Sequence, residues 1–250
     1  MDLSRASDKR VSVSVFFPAF NEEEIIEKTV LDALRCIGPL ADDLEVIVVD
    51  DGSVDGTARR VASLAERDGN VRLVRHPRNL GYGAALRTGF ASATKDLVFF
   101  SDADGQFDLA ETAGLLPLLR CAPVVAGFRI KRSDPPHRLF IAKTYRLIIG
   151  LVFGVWLRDI DCAFKLFRRE VLEGLNLESN GAFISSELLI KLRRRNVPIA
   201  EKGVHHYPRT TGYSKGANFR VIVRTIRDII RLRLGLPLTA RRETAAGTGP

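Results

Sequence analysis

Between Val11 and Ala126 the chain repeats one pattern: a short β-branched or aromatic run, a polar break, then a segment with helical spacing. Val11, Val13, Val15 and Phe17 alternate with Ser12, Ser14 and Phe16 and predict a strand that Pro18 ends. Glu22 to Ile37 has acidic residues at its start and Ile25, Ile26, Val30, Leu34 and Ile37 at helical spacing. Leu44–Val49, Val71–Arg75, Leu97–Phe100 and Val124–Ala126 read as further strands. Asp55–Arg67, Gly83–Ala93 and about Leu109–Leu119 read as the helices between them. Such alternation imposes βαβ units and a Rossmann-like, mostly parallel sheet with helices on both faces. Ligands then bind beyond the carboxyl ends of the strands.

Polar clusters stand at those ends: Asn21-Glu22, Asp50-Asp51-Gly52-Ser53 and Asp102-Ala103-Asp104-Gly105. Asp102 and Asp104, two residues apart after an apolar strand, project carboxylates to the same side of an extended segment. Two hard oxygen ligands with open positions suit Mg²⁺ or Mn²⁺ carrying phosphates, and Gln106 can add an amide oxygen. Asp50 and Asp51 can accept from a ribose or nucleobase, or build a strand-to-helix turn with Asp55 as cap. Asn79-Leu80-Gly81-Tyr82-Gly83 is a close-approach loop over a nucleotide or a helix entry. No GxGxxG or P-loop pattern is present, so hydride transfer and NTPase chemistry have no motif.

The net charge of +8 and pI of 9.7 call for an anionic partner: nucleic acid, anionic lipid or a phosphorylated small molecule. The basic residues cluster with apolar helices rather than with a stacking platform, which argues against nucleic acid. Cys36, Cys121 and Cys162 are dispersed and odd in number, so a reducing, cytoplasmic setting is expected rather than a disulfide framework. Met1–Arg10 has no apolar core of a secretory signal. No apolar run reaches the roughly 20 residues of a membrane span.

The second half reads as a basic loop at Arg129–Pro136, an apolar helix at Leu139–Leu157, a strand at Ala163–Phe167, a helix at Ile184–Arg195 and a strand at Val197–Val204. The basic loop His205–Lys215 and a helix at Phe219–Leu234 follow. Leu147–Leu157 carries Trp156 between Arg146 and Arg158 and reads as an interfacial helix. Phe219–Leu236 interleaves Arg220, Arg224, Arg227, Arg231 and Arg233 with Ile222, Ile226, Ile229 and Ile230, a basic amphipathic helix suited to anionic lipid.

Pro18-Ala19-Phe20-Asn21-Glu22, Val48-Val49-Asp50-Asp51-Gly52-Ser53, Leu80-Gly81-Tyr82-Gly83 and Asp102-Ala103-Asp104-Gly105-Gln106 resemble the successive motifs of family 2 glycosyltransferases. Asp161-Cys162-Ala163-Phe164-Lys165-Leu166-Phe167 with Arg168-Arg169-Glu170-Val171-Leu172 is similar to the polyprenol-phosphate branch, which includes the dolichol-phosphate mannose synthases. The resemblance covers about Val11–Gly216. It implies an α/β GT-A fold over residues 1–216, with 217–238 a membrane-surface helix and 239–250 a disordered tail. It implies metal-dependent, inverting transfer of a hexose, mannosyl or glucosyl, from a GDP- or UDP-linked sugar to a polyprenyl phosphate lipid. The expected place is the cytoplasmic membrane face, peripherally bound.

By the same resemblance Pro18, Phe20, Glu22, Asp50, Asp51, Gly81, Asp102 and Lys215 line the nucleotide-sugar, and Asp102, Asp104 and Gln106 hold the metal. Arg129 and Arg209 meet phosphates, with Asp104 and Glu187 completing the catalytic set and Glu187 in a positioning or ligand-orienting role. Arg138 and Arg146 are further candidates. Where relatives often carry Tyr, this chain has Phe20, which keeps base stacking and loses a hydroxyl. The alternatives are the same fold acting on a soluble or polysaccharide hydroxyl, and a nucleotide-sugar-binding module without catalysis.

Overall fold

The computed structural model describes residues 11–130, 136–209 and 219–238. Lys215, the boundary at residue 216 and the 239–250 segment lie outside the described residues.

Seven strands form one sheet in the order β3-β2-β1-β4-β6-β5-β7. They are β1 (Ser12–Ala19), β2 (Asp43–Asp50), β3 (Val71–Arg75), β4 (Leu97–Ser101), β5 (Val124–Arg129), β6 (Phe164–Arg168) and β7 (Ile199–Val204). All neighbours pair in parallel except β6, which runs antiparallel to both β4 and β5. Pro18 does not end β1. It lies inside the strand opposite Val49, and β1 runs on to Ala19.

Six α-helices lie among the described residues: α1 (Ile26–Ile37), α2 (Thr57–Arg67), α3 (Tyr82–Ser92), α4 (Pro136–Phe153), α5 (Ile184–Arg194) and α6 (Phe219–Arg233). The central strands β1, β2 and β4 are mostly apolar and buried because both faces are covered. Val46 and Val48 of β2 join Ile26, Val30 and Val61 of α1 and α2 on one face. Ile47 and Val49 join Leu86 of α3 and Leu188 of α5 on the other. Phe16, Phe100 and Phe167 stack in turn across β1, β4 and β6, with ring centroids 5.5 and 6.2 Å apart. Gly89 lets α3 lie on this stack, for a Cβ there would stand 2.2 Å from a Phe16 ring carbon. A third cluster joins Ile149 of α4, Phe183 and Leu189 near and on α5, and Ile229 and Leu232 of α6.

Two expected helices are corrected. Leu109–Leu119 forms two 3-10 turns, Leu109–Gly114 and Leu116–Arg120, with Pro117 removing an N–H a continuous helix would need. The apolar run through Leu157 is not one interfacial helix: α4 ends at Phe153 and Gly154 takes φ +71°. Beyond it Val155 and Leu157 turn inward while Trp156 is 61% exposed. Among the described residues no helix is long and apolar enough to cross a membrane.

Candidate active site

The loops after β1, β2, β4 and β7 converge at the carboxyl edge, and hydrogen bonds lace them together. Asn21, at φ +55°, donates its N–H to the Ser53 hydroxyl and accepts from Val54 N–H. Glu22 N–H reaches Thr57 Oγ1, and the Glu23 carboxylate accepts from Gly56 N–H at 2.8 Å. Gln106 accepts at its carbonyl from Tyr207 N–H and donates its side-chain amide to the Tyr207 carbonyl, both at 2.8 Å. Thr29 of α1 holds the Ala103 carbonyl at 3.1 Å, so the buried Ala103 anchors the two aspartates on either side of it.

Asp102 and Asp104 stand together there. Burial, and then the Asp104 carboxylate, push the Asp102 carboxyl up to about 7, against the Tyr82 hydroxyl, Lys165 and Arg129. Tyr82 donates to Asp102 Oδ1 at 3.0 Å. Its own phenol is held far above the usual range by burial and by that carboxylate, so it remains a donor. Arg209, after β7, pairs with Glu22 and stands 3.8 Å from Asp104 Oδ2. A crowded carboxylate pair facing a guanidinium is a place that favours positive charge, and its oxygen donors fit a hard divalent cation. Among the described residues no third His, Cys, Asp or Glu joins the pair, which leaves coordination positions for phosphate oxygens and water. Asp102, Asp104 and the oxygen of Gln106 are the groups that would hold the ion.

The aspartates after β2 divide. Asp50 is wholly buried: Oδ1 accepts from Ser53 N–H, and Arg75 Nε stands 3.2 Å from Oδ2, off hydrogen-bond geometry. Asp50 builds the turn through Oδ1, and its buried Oδ2 accepts no hydrogen bond among the described residues. Asp51 keeps a little exposure and accepts from Leu80 and Gly81 N–H, drawing that loop over the strand end. Gly52 and Gly81 permit the approach at φ +71° and +100°; a Cβ on Gly52 would stand 2.3 Å from the Arg78 carbonyl carbon. Pro18 is buried, while Phe20 and Glu22 are partly open.

Glu187 has a positioning role. Fully buried on α5, it accepts from Glu178 and Ser179 N–H, each at 2.8 Å, and pairs with Lys191 at 2.7 Å. The loop it holds supports the glycines, for Asn180 O accepts from Gly83 N–H, and Ser179 O and Asn180 Oδ1 accept from Arg87. Glu187 thereby orients the loop that carries Asn180.

Arg129 ends β5 and grips Asp159 with two bonds of 2.6 and 2.9 Å. Burial alone would lower its affinity for protons, but Asp159 with Cys162 and Asp161 outweighs that and keeps it charged. Sequence reading passed over Asp159, Tyr82, His76 and the fully buried Lys165. Lys165 Nζ donates to the Ile160 carbonyl at 3.1 Å and to that of Cys162, fixing the turn that carries Asp159 and Asp161. The repeat Asp159-Ile160-Asp161 just ahead of a strand was the available signal. The side chain of Arg138 lies outside the described residues; Arg146 lies on α4 and donates to the Arg158 carbonyl at 3.4 Å.

The open α/β sheet with two metal-fitting aspartates at its carboxyl edge defines a nucleotide-sugar-binding class of protein. Its fold is that of glucosyl-3-phosphoglycerate synthase from Mycobacterium tuberculosis in complex with Mn²⁺, UDP and glucosyl-3-phosphoglycerate. That likeness has TM-score 0.66 and 23% identity over 91% of this chain and 81% of that one. The same synthase with Mg²⁺ and UDP gives TM-score 0.67 at 24% identity, with 91% and 80% covered. Residues 14–175 match glycosyl transferase family 2, and the chain belongs to that family.

Its relatives fit the polyprenol-phosphate branch. A dolichyl-phosphate β-glucosyltransferase of Trichomonas vaginalis is 34% identical over 215 residues, 78% of this chain and 65% of the relative. An undecaprenyl-phosphate 4-deoxy-4-formamido-L-arabinose transferase of Pseudomonas fluorescens is 30% identical over 221 residues, 84% of this chain and 61% of the relative. Glycosyltransferase AglD of Haloferax volcanii is 33% identical over 210 residues, 80% of this chain and 34% of the relative. The chain thus spans between about a third and two thirds of the length of these relatives.

Proposed function

We propose that the chain transfers a hexose from a GDP- or UDP-linked sugar to a polyprenyl phosphate at the cytoplasmic membrane face. The observation that carries this is the Asp102/Asp104 pair set in loops laced from four strand ends. Mg²⁺ or Mn²⁺ held there would neutralise charge on the departing nucleoside diphosphate. Arg209, poised beside Asp104 and Glu22, is a protein cation placed to meet a diphosphate bound at the pair. In a single displacement an acceptor phosphate oxygen supplies the electron pair for the new bond to the anomeric carbon. The old bond's pair leaves with the nucleoside diphosphate, and the carbon inverts. A phosphate monoester is largely ionised at neutral pH, with a second pKa of about 6. It needs orientation and countercharge rather than a base, which agrees with the employment of Glu187 elsewhere.

The membrane side of this reading is supported by apolar surface left open on two helices and the segment between. Phe140 and Leu151 of α4 are 73% and 70% exposed, and Ile230 of α6 and Leu234 just past its end are 53% and 66% exposed. Arg227 and Arg233 are exposed on the same α6 helix. Peripheral contact with anionic lipid uses that combination, and residues 217–238 are the segment proposed to make it.

The test is a radiolabelled transfer assay with UDP- and GDP-sugars, metal and short-chain polyprenyl phosphate. Label passing into the lipid phase is the expected result. Label recovered only on soluble or polysaccharide hydroxyls would overturn the acceptor, and binding of nucleotide-sugar without turnover would reduce the chain to a binding module.

A further inference from the structure

The motif-bearing residues leave one buried ring unexplained. His76 follows β3, and its N–H donates to the Asp50 carbonyl at 2.9 Å, which prolongs the β2–β3 ladder by one residue. That register sets the imidazole, 7% exposed, beside Asp51. Nδ1 stands 2.7 Å from Asp51 Oδ1, and Nε2 stands 2.9 Å from the Thr88 hydroxyl on α3. A carboxylate can only accept, so Nδ1 is the donor in that bond, and Thr88 satisfies the other ring nitrogen.

The acceptor count on Asp51 follows. Oδ1 takes His76 Nδ1–H and, at 2.9 Å, Leu80 N–H; Oδ2 takes Gly81 N–H at 2.9 Å. Each carboxylate oxygen offers about two lone-pair sites. Oδ1 is filled and Oδ2 keeps one position, while the side chain retains 5% exposure at the cleft edge. A guanine presents a ring N–H beside an exocyclic amine, a pair that needs both oxygens of an open carboxylate. A uracil presents a single ring N–H between two carbonyls.

We propose that His76, held by Thr88, is a positioning residue that fills Oδ1 of Asp51 and thereby selects a uracil nucleotide over a guanine nucleotide. This deepens the proposed function and rests on the nucleoside lying at Asp51, the place the family resemblance implies for it. Without the imidazole donor, Oδ1 regains an acceptor site and the carboxylate can meet two donors. Discrimination by filling or emptying one buried acceptor is of the kind that separates ligands differing by one hydrogen-bonding group.

The experiment is calorimetric titration of the full chain with UDP and with GDP, each with Mn²⁺, for the wild type, His76→Leu, His76→Asn and Thr88→Val. The wild type is expected to favour UDP by about tenfold or more, the scale of one hydrogen bond to a charged group. His76→Leu is expected to erase most of that ratio, and His76→Asn, whose amide can still donate to Oδ1, to keep it. Thr88→Val, which frees the ring to turn, is expected to reduce the ratio in part. A merely structural His76 would weaken both nucleotides alike and leave the ratio unmoved, which overturns the proposal. So does a wild type that binds GDP as tightly as UDP. Binding of neither nucleotide would instead sink the placement of the nucleoside on which the inference rests. Melting temperatures without nucleotide check that each variant folds; should His76→Leu not fold, an unchanged ratio in Thr88→Val overturns the proposal by itself.

Discussion

Replacing Glu187 with Gln separates a residue that performs chemistry from one that holds a loop. In the structure each carboxylate oxygen takes one backbone N–H, from Glu178 and Ser179, at 2.8 Å, and Lys191 lies 2.7 Å from Oε1. An amide has one oxygen to offer, so its NH₂ must face one of those N–H groups. One hydrogen bond to a charged acceptor, about 1.5–3 kcal/mol, is lost, and a buried donor is left unsatisfied at about 1–3 kcal/mol. Lys191 also loses its buried countercharge. Together these come to about 2.5–6 kcal/mol, a range that brackets the roughly 3–5 kcal/mol seen when one partner of a buried ion pair is removed. For a chain of this length that lowers the melting temperature by about 10 °C. Differential scanning calorimetry measures it, and amide exchange should show the 176–181 loop opening ahead of the rest. A variant that melts within about 2 °C of the wild type yet loses turnover would refute this account and return Glu187 to the chemistry.

Asp104→Ala is expected to lower turnover by about a thousandfold, several kcal/mol of lost charge stabilisation, and chelation of divalent cations should reproduce that loss in the wild type. Activity unaffected by either would dismiss the metal assignment. Gly83→Ala should destabilise by about 1–3 kcal/mol, because the added Cβ would stand 2.2 Å from Ser179 O against a loop fixed from three sides; urea denaturation reads this out. Burial works to raise the Glu45 carboxyl, but hydrogen bonds from Ser14 and from the Thr94 amide and hydroxyl, with the Arg72 charge, hold it below the ordinary value. A depressed carboxyl adds stability above its unfolded pKa and surrenders it as pH falls through the folded one. Glu45→Gln should therefore melt lower than the wild type at pH 7, with the gap closing as pH drops below about 4; a gap that persists at pH 3 speaks against it.

Most of the fold was legible because both faces of the sheet are covered, which turns strands such as Leu44–Val49 into unbroken apolar runs. The converging acidic clusters were legible for the same reason: each sits where such a run stops. Which of two neighbouring carboxylates faces the cleft was not legible. Asp50 and Asp51 differ by one step of a strand end, and only the Ser53 turn and the Leu80–Gly81 loop decide between them. Which loop Glu187 orients was not legible because its partners are backbone amides eight and nine residues away, which leave no mark in composition. The end of α4 hinged on Gly154, whose left-handed φ no periodicity announces. His76 escaped notice because its meaning arises from register: β3 must pair with β2 before the ring finds Asp51.

The reversed strand β6 has a consequence for symmetry. In a sheet of parallel strands alone, every connection entering a strand begins at the far edge. Because β6 points the other way, the chain enters it at the near edge, so the Asp159–Cys162 turn rises beside the aspartate pair instead of opposite it. One inverted five-residue strand thus brings a second, separately tied turn to the edge that carries the aspartates. The loops after β1 and β2 are knit by their own hydrogen bonds, and the turn ahead of β6 is tied to β5 by the Arg129–Asp159 clasp.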